Sequence, residues 1–152
     1  MDLREFIKQP TFTSAAQETI LNLMVTNSWI VGELTAAMAP YDVTPVQYNV
    51  LRILRGSHPV KLTCSQVGER MLDRTPDVTR LLDRLDRASL IDRARAEHDR
   101  RVVEVGITPK GIALLDRMKK DVKAVQERLT RHLSDAELRE MSEMLDTLRT
   151  DQ

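Results

Sequence analysis

Apolar residues recur every three or four positions along most of the chain, which is the spacing of one face of an α-helix. After the capping sequence at Ser14, this spacing continues as far as Met38 and predicts a helix of about 25 residues that Pro40 ends. A second long stretch begins after Thr108 and Pro109. Its apolar positions are Ile112, Leu115, Met118, Val122, Val125 and Leu129. A last helix is predicted after the capping box at Ser134.

Three shorter helices are predicted between the long ones, each from a hydroxyl cap. Thr44 precedes a proline suited to a first helical turn, and the helix it opens stops near Gly56. Thr63 opens a helix of about two turns. Thr75 and Pro76 open a further helix, whose inward stripe is formed by Val78, Leu81, Leu82 and Leu85. This segment therefore predicts a short helix, a tight turn and a longer helix.

The periodicity changes from helical to alternating after Ile91. A strand from Ile91 to Ala96 and a second from Val103 to Ile107 are separated by a polar turn, which predicts a two-stranded hairpin. The fold class is therefore mainly α with a small β-hairpin wing. Its order is that of a winged helix-turn-helix, in which the second helix enters the major groove of DNA and the hairpin lies beside it.

The predicted organisation is a single domain over residues 1–152. Within it, residues 44–108 form the winged helix-turn-helix lobe, and residues 13–39 and 109–150 form long N- and C-terminal dimerisation helices. A helix of about 25 residues is roughly 37 Å long, whereas a compact chain of this size has a radius of gyration of about 15 Å. The terminal helices should then expose apolar stripes unless a second copy covers them, which predicts a homodimer.

Composition limits the function classes that remain. The 23 Lys and Arg residues balance 23 Asp and Glu residues, so binding to nucleic acid has to come from local charge. The single cysteine, Cys64, excludes an intramolecular disulfide and suits a reducing cytoplasm. With no signal peptide or spanning segment recognised, the expectation is a cytoplasmic protein that does not enter a membrane.

Local charge is concentrated on the helix after Thr75. Every basic residue between positions 70 and 101 is an arginine, the residue type that makes forked contacts to phosphate or guanine. The candidates for base or backbone contact are Thr75, Asp77, Thr79, Arg80 and Arg84. The alternative is that Asp77, Asp83 and Asp86 neutralise these arginines at helical spacing and leave an ordinary solvated face.

The segment from Asp99 to Gly111 carries a more specific pattern: Asp, any residue, Arg, five residues, Leu or Ile, Thr, two residues, Gly. Together with the preceding stretch Val78–Leu85, it resembles the wing signature and recognition helix of the MarR family of bacterial transcriptional regulators. Nearly the whole chain fits this resemblance, apart from the first dozen residues. One departure is Ser89, where the family usually has glycine, so that a left-handed backbone there would be slightly strained.

The wing candidates for DNA contact are Arg95, Asp99, Arg100 and Arg101. Asp99 can accept backbone hydrogen bonds in the turn, which fixes Arg101 at the hairpin edge where a guanidinium can enter a minor groove. Two structural alternatives stay open. Asp99 and Arg101 could form a local salt bridge, and Thr108 to Gly111 could be only the next helix start.

The resemblance implies a homodimeric, sequence-specific DNA-binding regulator, expected to be a repressor, that acts on an inverted-repeat operator. It also implies a small aromatic or phenolic anionic effector, for which the candidate pocket residues are Trp29 and Tyr48, although core packing explains each of them at least as well. No enzyme, cofactor or metal site is predicted. The alternatives are a helical interaction or scaffolding dimer without sequence-specific DNA binding, and an oxidant sensor using Cys64.

Overall fold

The computed structural model describes residues 2–73, 77–95, 99 and 101–150. Its helices are α1 (Leu3–Phe6), α2 (Ala15–Met38), α3 (Pro45–Ser57), α4 (Cys64–Arg70), α5 (Val78–Arg87), α6 (Pro109–Thr130) and α7 (Asp135–Leu148), with a 3₁₀ turn at Ala39–Tyr41. Its strands are β1 (Leu62–Thr63), β2 (Ile91–Arg95) and β3 (Val103–Ile107). The architecture is mainly helical with one small sheet, as the sequence predicts.

Side-chain caps start three of these helices where the sequence predicts them. Thr44, Thr63 and Ser134 each accept a hydrogen bond from the backbone N–H three residues on, and a Gln or Glu at that position bonds back to the cap. Each pair satisfies two N–H groups that the helix itself leaves without a partner. The backbone hydrogen bond from Ser134 and its hydroxyl also lower the pKa of Glu137.

The start of α5 differs from the prediction. The cap is Asp77, not Thr75, and its carboxylate accepts a hydrogen bond from the backbone N–H of Arg80 at 3.1 Å. Aspartate caps a helix as well as threonine does, so the sequence contains two possible caps close together. The prediction that Thr75 and Pro76 begin the helix was wrong. Thr75 itself lies outside the described residues.

The sheet has three antiparallel strands in the order β1-β3-β2, whereas the sequence predicts only a two-stranded hairpin. The hairpin is confirmed, and its register places Ile91 opposite Ile107. Ala96, the predicted end of its first strand, lies outside the described residues. The missed strand pairs Leu62 with Val105 and is two residues long, too short to show alternation. β1 directly precedes α4, so the sheet is joined to the helix-turn-helix on both sides.

The chain divides into two compact units, one of residues 1–34 and 123–152 and the other of residues 35–122. We call them the terminal unit and the lobe. The lobe holds 18 of the 20 buried apolar residues that the structure describes, including Leu51, Leu54 and Leu82 at 1% exposure or less. The terminal unit holds the other two, Leu3 and Val125. Among the described helices, none is long and apolar enough to cross a membrane.

The last turn of α5 ends in a Schellman motif with serine in the left-handed position. Ser89 has φ of 58° and donates its N–H to the carbonyl of Asp86, while Leu90 donates its N–H to the carbonyl of Leu85. The side chains of Leu85 and Leu90 are both buried. The left-handed backbone expected at this departure from the family pattern is therefore present.

Candidate nucleic-acid interface

Helix α5 separates its apolar and basic side chains onto different faces. Leu82 and Leu85 are 0% and 1% exposed, whereas Thr79, Arg80 and Arg84 are exposed. This face is the one that the helical spacing predicts for DNA contact. Asp77 stands at its start, where the carboxylate caps the helix and lies 3.7 Å from Nε of Arg80.

Two aspartates of α5 form ion pairs with an arginine of the sheet. The Nη2 atom of Arg93, on β2, donates a hydrogen bond to Asp83 at 2.6 Å, and its Nε lies 3.8 Å from Asp86. Of the three intrahelical pairs that would make an ordinary solvated face, Asp77 with Arg80 is present. Asp83 pairs with neither Arg80 nor Arg87 among the described residues.

Two arginines of α5 keep their charge exposed. Within residues 77–95, neither Arg84 nor Arg87 takes part in a salt bridge, and both side chains are exposed. The exposed Thr79 and Arg80 precede them on the same helix. The face therefore presents guanidinium groups that are not neutralised by their own helix, the arrangement that suits phosphate or guanine.

The wing turn is partly described. Asp99 accepts a hydrogen bond from the backbone N–H of Arg101 at 2.9 Å, and its carbonyl accepts one from Val102 at 3.0 Å. The turn role predicted for Asp99 is therefore present, and the described residues contain no salt bridge between its carboxylate and the Arg101 guanidinium. Arg95 and Arg101 are exposed, and Arg100 lies outside the described residues.

The start of α6 is hydrogen-bonded to the end of α5. Thr108 donates its hydroxyl to the carbonyl of Ser89 at 2.8 Å and accepts the N–H of Gly111 at 3.1 Å. Lys110 donates its ammonium to the carbonyl of Ala88 at 2.7 Å. A Cβ atom on Gly111 would lie 2.3 Å from the carbonyl oxygen of Leu90, so only glycine fits without movement. This end of the signature is a helix start that also closes the C-terminal end of α5.

Tyr41 ties the 3₁₀ turn to α6 within the lobe. Its hydroxyl donates to Asp121 Oδ2 at 2.5 Å, and its ring lies 5.6 Å from the Arg117 guanidinium. The hydrogen bond to Asp121 raises the pKa of Tyr41. Nothing in the local periodicity indicates this contact, because the residues are far apart along the chain.

The two aromatic candidates for an effector pocket lie in different units. Trp29 is 52% exposed on α2 in the terminal unit, and Tyr48 is half-buried on α3 in the lobe. A cavity of about 420 Å³ opens in the lobe between residues 58–61, the sheet and the start of α6, and neither aromatic residue lines it. Lys61 and Asp92 form an ion pair at its wall.

Cys64 is the first residue of α4, and its thiol is free and half-buried. In the part of the chain that the structure describes, no three His, Cys, Asp or Glu residues are grouped so that they could hold a metal ion.

Helices α4 and α5 and the adjoining sheet together form a winged helix-turn-helix. A family model described as the MarR family matches residues 41–102. The transcriptional repressor MdtR of Bacillus subtilis is 31% identical over 106 residues, which cover 70% of this chain and 67% of MdtR. The regulator MhqR of the same organism is 31% identical over 107 residues, covering 69% of this chain and 71% of MhqR.

Solved structures agree with this assignment. A MarR transcription factor from Planctomyces limnophilus has a TM-score of 0.70 and 35% identity, covering 90% of this chain and 99% of that protein. The MepR-DNA complex of S. aureus shares the fold, with a TM-score of 0.78 at 23% identity and coverage of 93% and 100%. The chain belongs to the MarR family. The similar curated proteins are named transcriptional regulators, which confirms the prediction of a regulator rather than an enzyme.

Proposed function

We propose that this protein is a homodimeric repressor that binds double-stranded DNA at an inverted-repeat operator. The observation that carries the proposal is the outward face of α5, where Arg80 and Arg84 are exposed while Asp83 is held by Arg93 of the sheet. The relatives support it: MdtR is named a repressor, and MepR of S. aureus was solved as a complex with DNA.

The proposed contacts divide between the helix and the wing. Helix α5 enters the major groove, with Thr79 and Arg80 near its start and Arg84 as the main guanine or phosphate contact. Thr75 and Asp77 belong to the same contact region, Asp77 through its cap. Arg95, Arg100 and Arg101 reach the backbone or a minor groove from the wing, and Asp99 holds the turn.

The proposed dimer follows from the apolar side chains of the terminal unit. Among the described residues of that unit, eight large apolar side chains within the proposed dimerisation ranges are exposed: Ile20, Met24, Trp29, Val31, Leu133, Met141, Met144 and Leu148. A second copy related by a two-fold axis would cover them. In this proposal residues 13–39 and 109–150 dimerise, residues 44–108 read DNA, and two copies contact half-sites about 34 Å apart.

A small aromatic or phenolic anion is proposed as the effector, with Trp29 of the terminal unit and Tyr48 of the lobe as two separate candidate contacts. Trp29 is the only tryptophan of the chain, so its fluorescence reports on that position alone. A saturable change in emission on titration with salicylate would support a site at Trp29. A linear change that does not saturate would contradict it.

The test of DNA binding is selection from a random duplex library followed by titration of the best fragment at several salt concentrations. We expect an inverted repeat and an affinity that falls steeply with salt, with a log-log slope of about −0.9 for each neutralised phosphate. No enrichment at low salt would contradict the proposal and favour a scaffolding dimer.

Two variants assign the contacts. Arg84→Gln should weaken binding about thirtyfold, because a guanine or phosphate contact of this kind is worth about 2 kcal/mol. Arg101→Ala should weaken DNA binding to a similar extent on different DNA sequences, because the wing mainly contacts the backbone or the minor groove. In both, sedimentation should show an unchanged dimer. Unchanged affinity in Arg101→Ala would remove the wing from the mechanism.

A further inference from the structure

Among the arginines that the structure describes in the lobe, Arg93 alone has a side chain that is not classed as exposed. It stands on β2 behind α5, and its side chain is only 26% exposed. Its Nη2 atom contacts Asp83 at 2.6 Å and its Nε faces Asp86 at 3.8 Å. That Nε is buried and has no hydrogen-bond partner among the described residues. A single guanidinium therefore faces two carboxylates of α5.

Without Arg93, the two carboxylates would act on their own helix. Asp83 is three residues after Arg80 and four before Arg87, so it lies at pairing distance along the helix from two exposed cations. Asp83 and Asp86 are 43% and 46% exposed, so their charge reaches the solvent in front of α5. Both effects would make the face less attractive to phosphate.

The chemistry of the contact requires arginine. The planar guanidinium offers donors at Nη2 and Nε in a fixed fork, which lets one side chain face two carboxylates at once. A lysine ammonium is a point charge on a flexible stem, and it would satisfy one carboxylate at a time. The arrangement of one cation against two anions holds Asp83 and Asp86, and within residues 77–95 it leaves Arg84 and Arg87 without a salt bridge.

We infer that Arg93 is a positioning residue for DNA binding, which holds Asp83 and Asp86 against the sheet and so keeps their charge from Arg80, Arg84 and Arg87. The inference rests on the proposed function and deepens it. Arg93 acts through the two aspartates and does not itself touch DNA. The charge that the recognition helix presents is thus set by a residue of the wing strand.

The first test is Arg93→Met, with Lys8→Met as the matched control. Both variants remove one positive charge, and Lys8 lies outside every segment proposed to bind DNA or to dimerise. Arg93→Met should weaken operator binding on the order of tenfold and make the salt slope shallower by about 0.9, because Asp83 then neutralises one arginine that otherwise meets a phosphate. Lys8→Met should change neither quantity.

The second test separates charge from packing. Asp83→Asn with Asp86→Asn, added to Arg93→Met, should restore the wild-type affinity and salt slope, because no acid remains to be held. The same double change in the presence of Arg93 should bind DNA at least as tightly as wild type. If the ion pairs act only as a structural clamp, the double change should instead weaken binding as much as Arg93→Met does.

Folding is followed by circular dichroism, and the double change decides the question even if Arg93→Met does not fold. Unchanged binding and salt slope in a folded Arg93→Met would overturn the inference, as would a combined variant that stays as weak as Arg93→Met. These results differ from failure of the proposed function itself, in which the wild-type protein would show no salt-dependent binding to any selected duplex.

Discussion

The lobe and the terminal unit differ in how many of their large apolar side chains are exposed. Only three of the 12 exposed large apolar residues in the described part of the chain belong to the lobe, and nine belong to the terminal unit, although both units are mainly helical. The long helix α2 has Met38 as its single buried residue among those described, and Met38 belongs to the lobe. The difference teaches that the lobe buries its apolar residues within one chain, whereas the terminal unit leaves an apolar surface exposed, which the proposed dimer would cover.

The largest effect should come from matched truncations in the two units. Leu82→Ala in the lobe should lower the free energy of unfolding by about 3 kcal/mol, because a fully buried leucine leaves a cavity. Leu148→Ala in the terminal unit, where the side chain is 59% exposed, should instead shift the dimer equilibrium. Urea denaturation at low and high protein concentration measures both. If the two variants lose the same stability at every protein concentration, the proposed difference between the two units would be contradicted.

A slightly smaller effect is expected from charge placed on the exposed face of α7. Met141→Asp with Met144→Asp should convert the dimer to a monomer in sedimentation, since both side chains are exposed at 46% and 62% in one chain and would be desolvated in a dimer. Operator affinity should fall on the order of a hundredfold, because a monomer contacts one half-site. Glu140→Asp is the matched control on the same helix. A stable dimer in the double variant would contradict the assignment of this face.

A gain of stability is expected at the end of α5. Ser89→Gly should raise the free energy of unfolding by about 0.5 kcal/mol, since glycine relieves the strain of φ at 58° but is more flexible in the unfolded chain. Ser89→Ala retains the strain and serves as the control. Thermal unfolding measures the difference, and a Ser89→Gly variant no more stable than Ser89→Ala would argue against strain at this position.

The smallest effect concerns the pH dependence of the contact at Tyr41. Since the hydrogen bond to Asp121 raises the pKa of Tyr41 in the folded state, the contact contributes stability that is fully present below the unfolded pKa. That stability is lost as the pH rises through the folded pKa. Absorbance at alkaline pH measures it, since the chain has two tyrosines and Tyr41→Phe leaves only Tyr48. Titration of Tyr41 at or below its unfolded pKa would contradict the contact.

Local signals predicted the helices well and the ion pairs poorly. Hydroxyl caps at Thr44, Thr63 and Ser134 act within four residues, so they are readable from the sequence. The alternative of an ordinary solvated face paired Asp83 with arginines of its own helix, because helical spacing is all that a sequence displays. Its actual partner, Arg93, lies ten residues away on β2 and becomes adjacent only when the sheet packs behind α5.

The same limit explains the missed strand. Leu62 and Thr63 show no alternation of their own, and they become a strand only because Val105 is available at the edge of the hairpin. Asp77 and Thr75 illustrate a different problem, since both residue types are good caps and the local sequence does not rank one position above the other. The DNA contacts stay predictions for Thr79, Arg80, Arg84, Arg95 and Arg101. The side chains of these four arginines are exposed.

The contacts of Thr108, Lys110 and Gly111 couple two helix ends inside the lobe. Two side-chain hydrogen bonds join the first turn of α6 to carbonyls at the end of α5, and the backbone of Leu90 leaves no room for a side chain at position 111. A displacement of the first turn of α6 would therefore be transmitted to the last turn of α5. In the proposed function, a substitution at these three residues would alter DNA affinity without removing any residue that touches DNA.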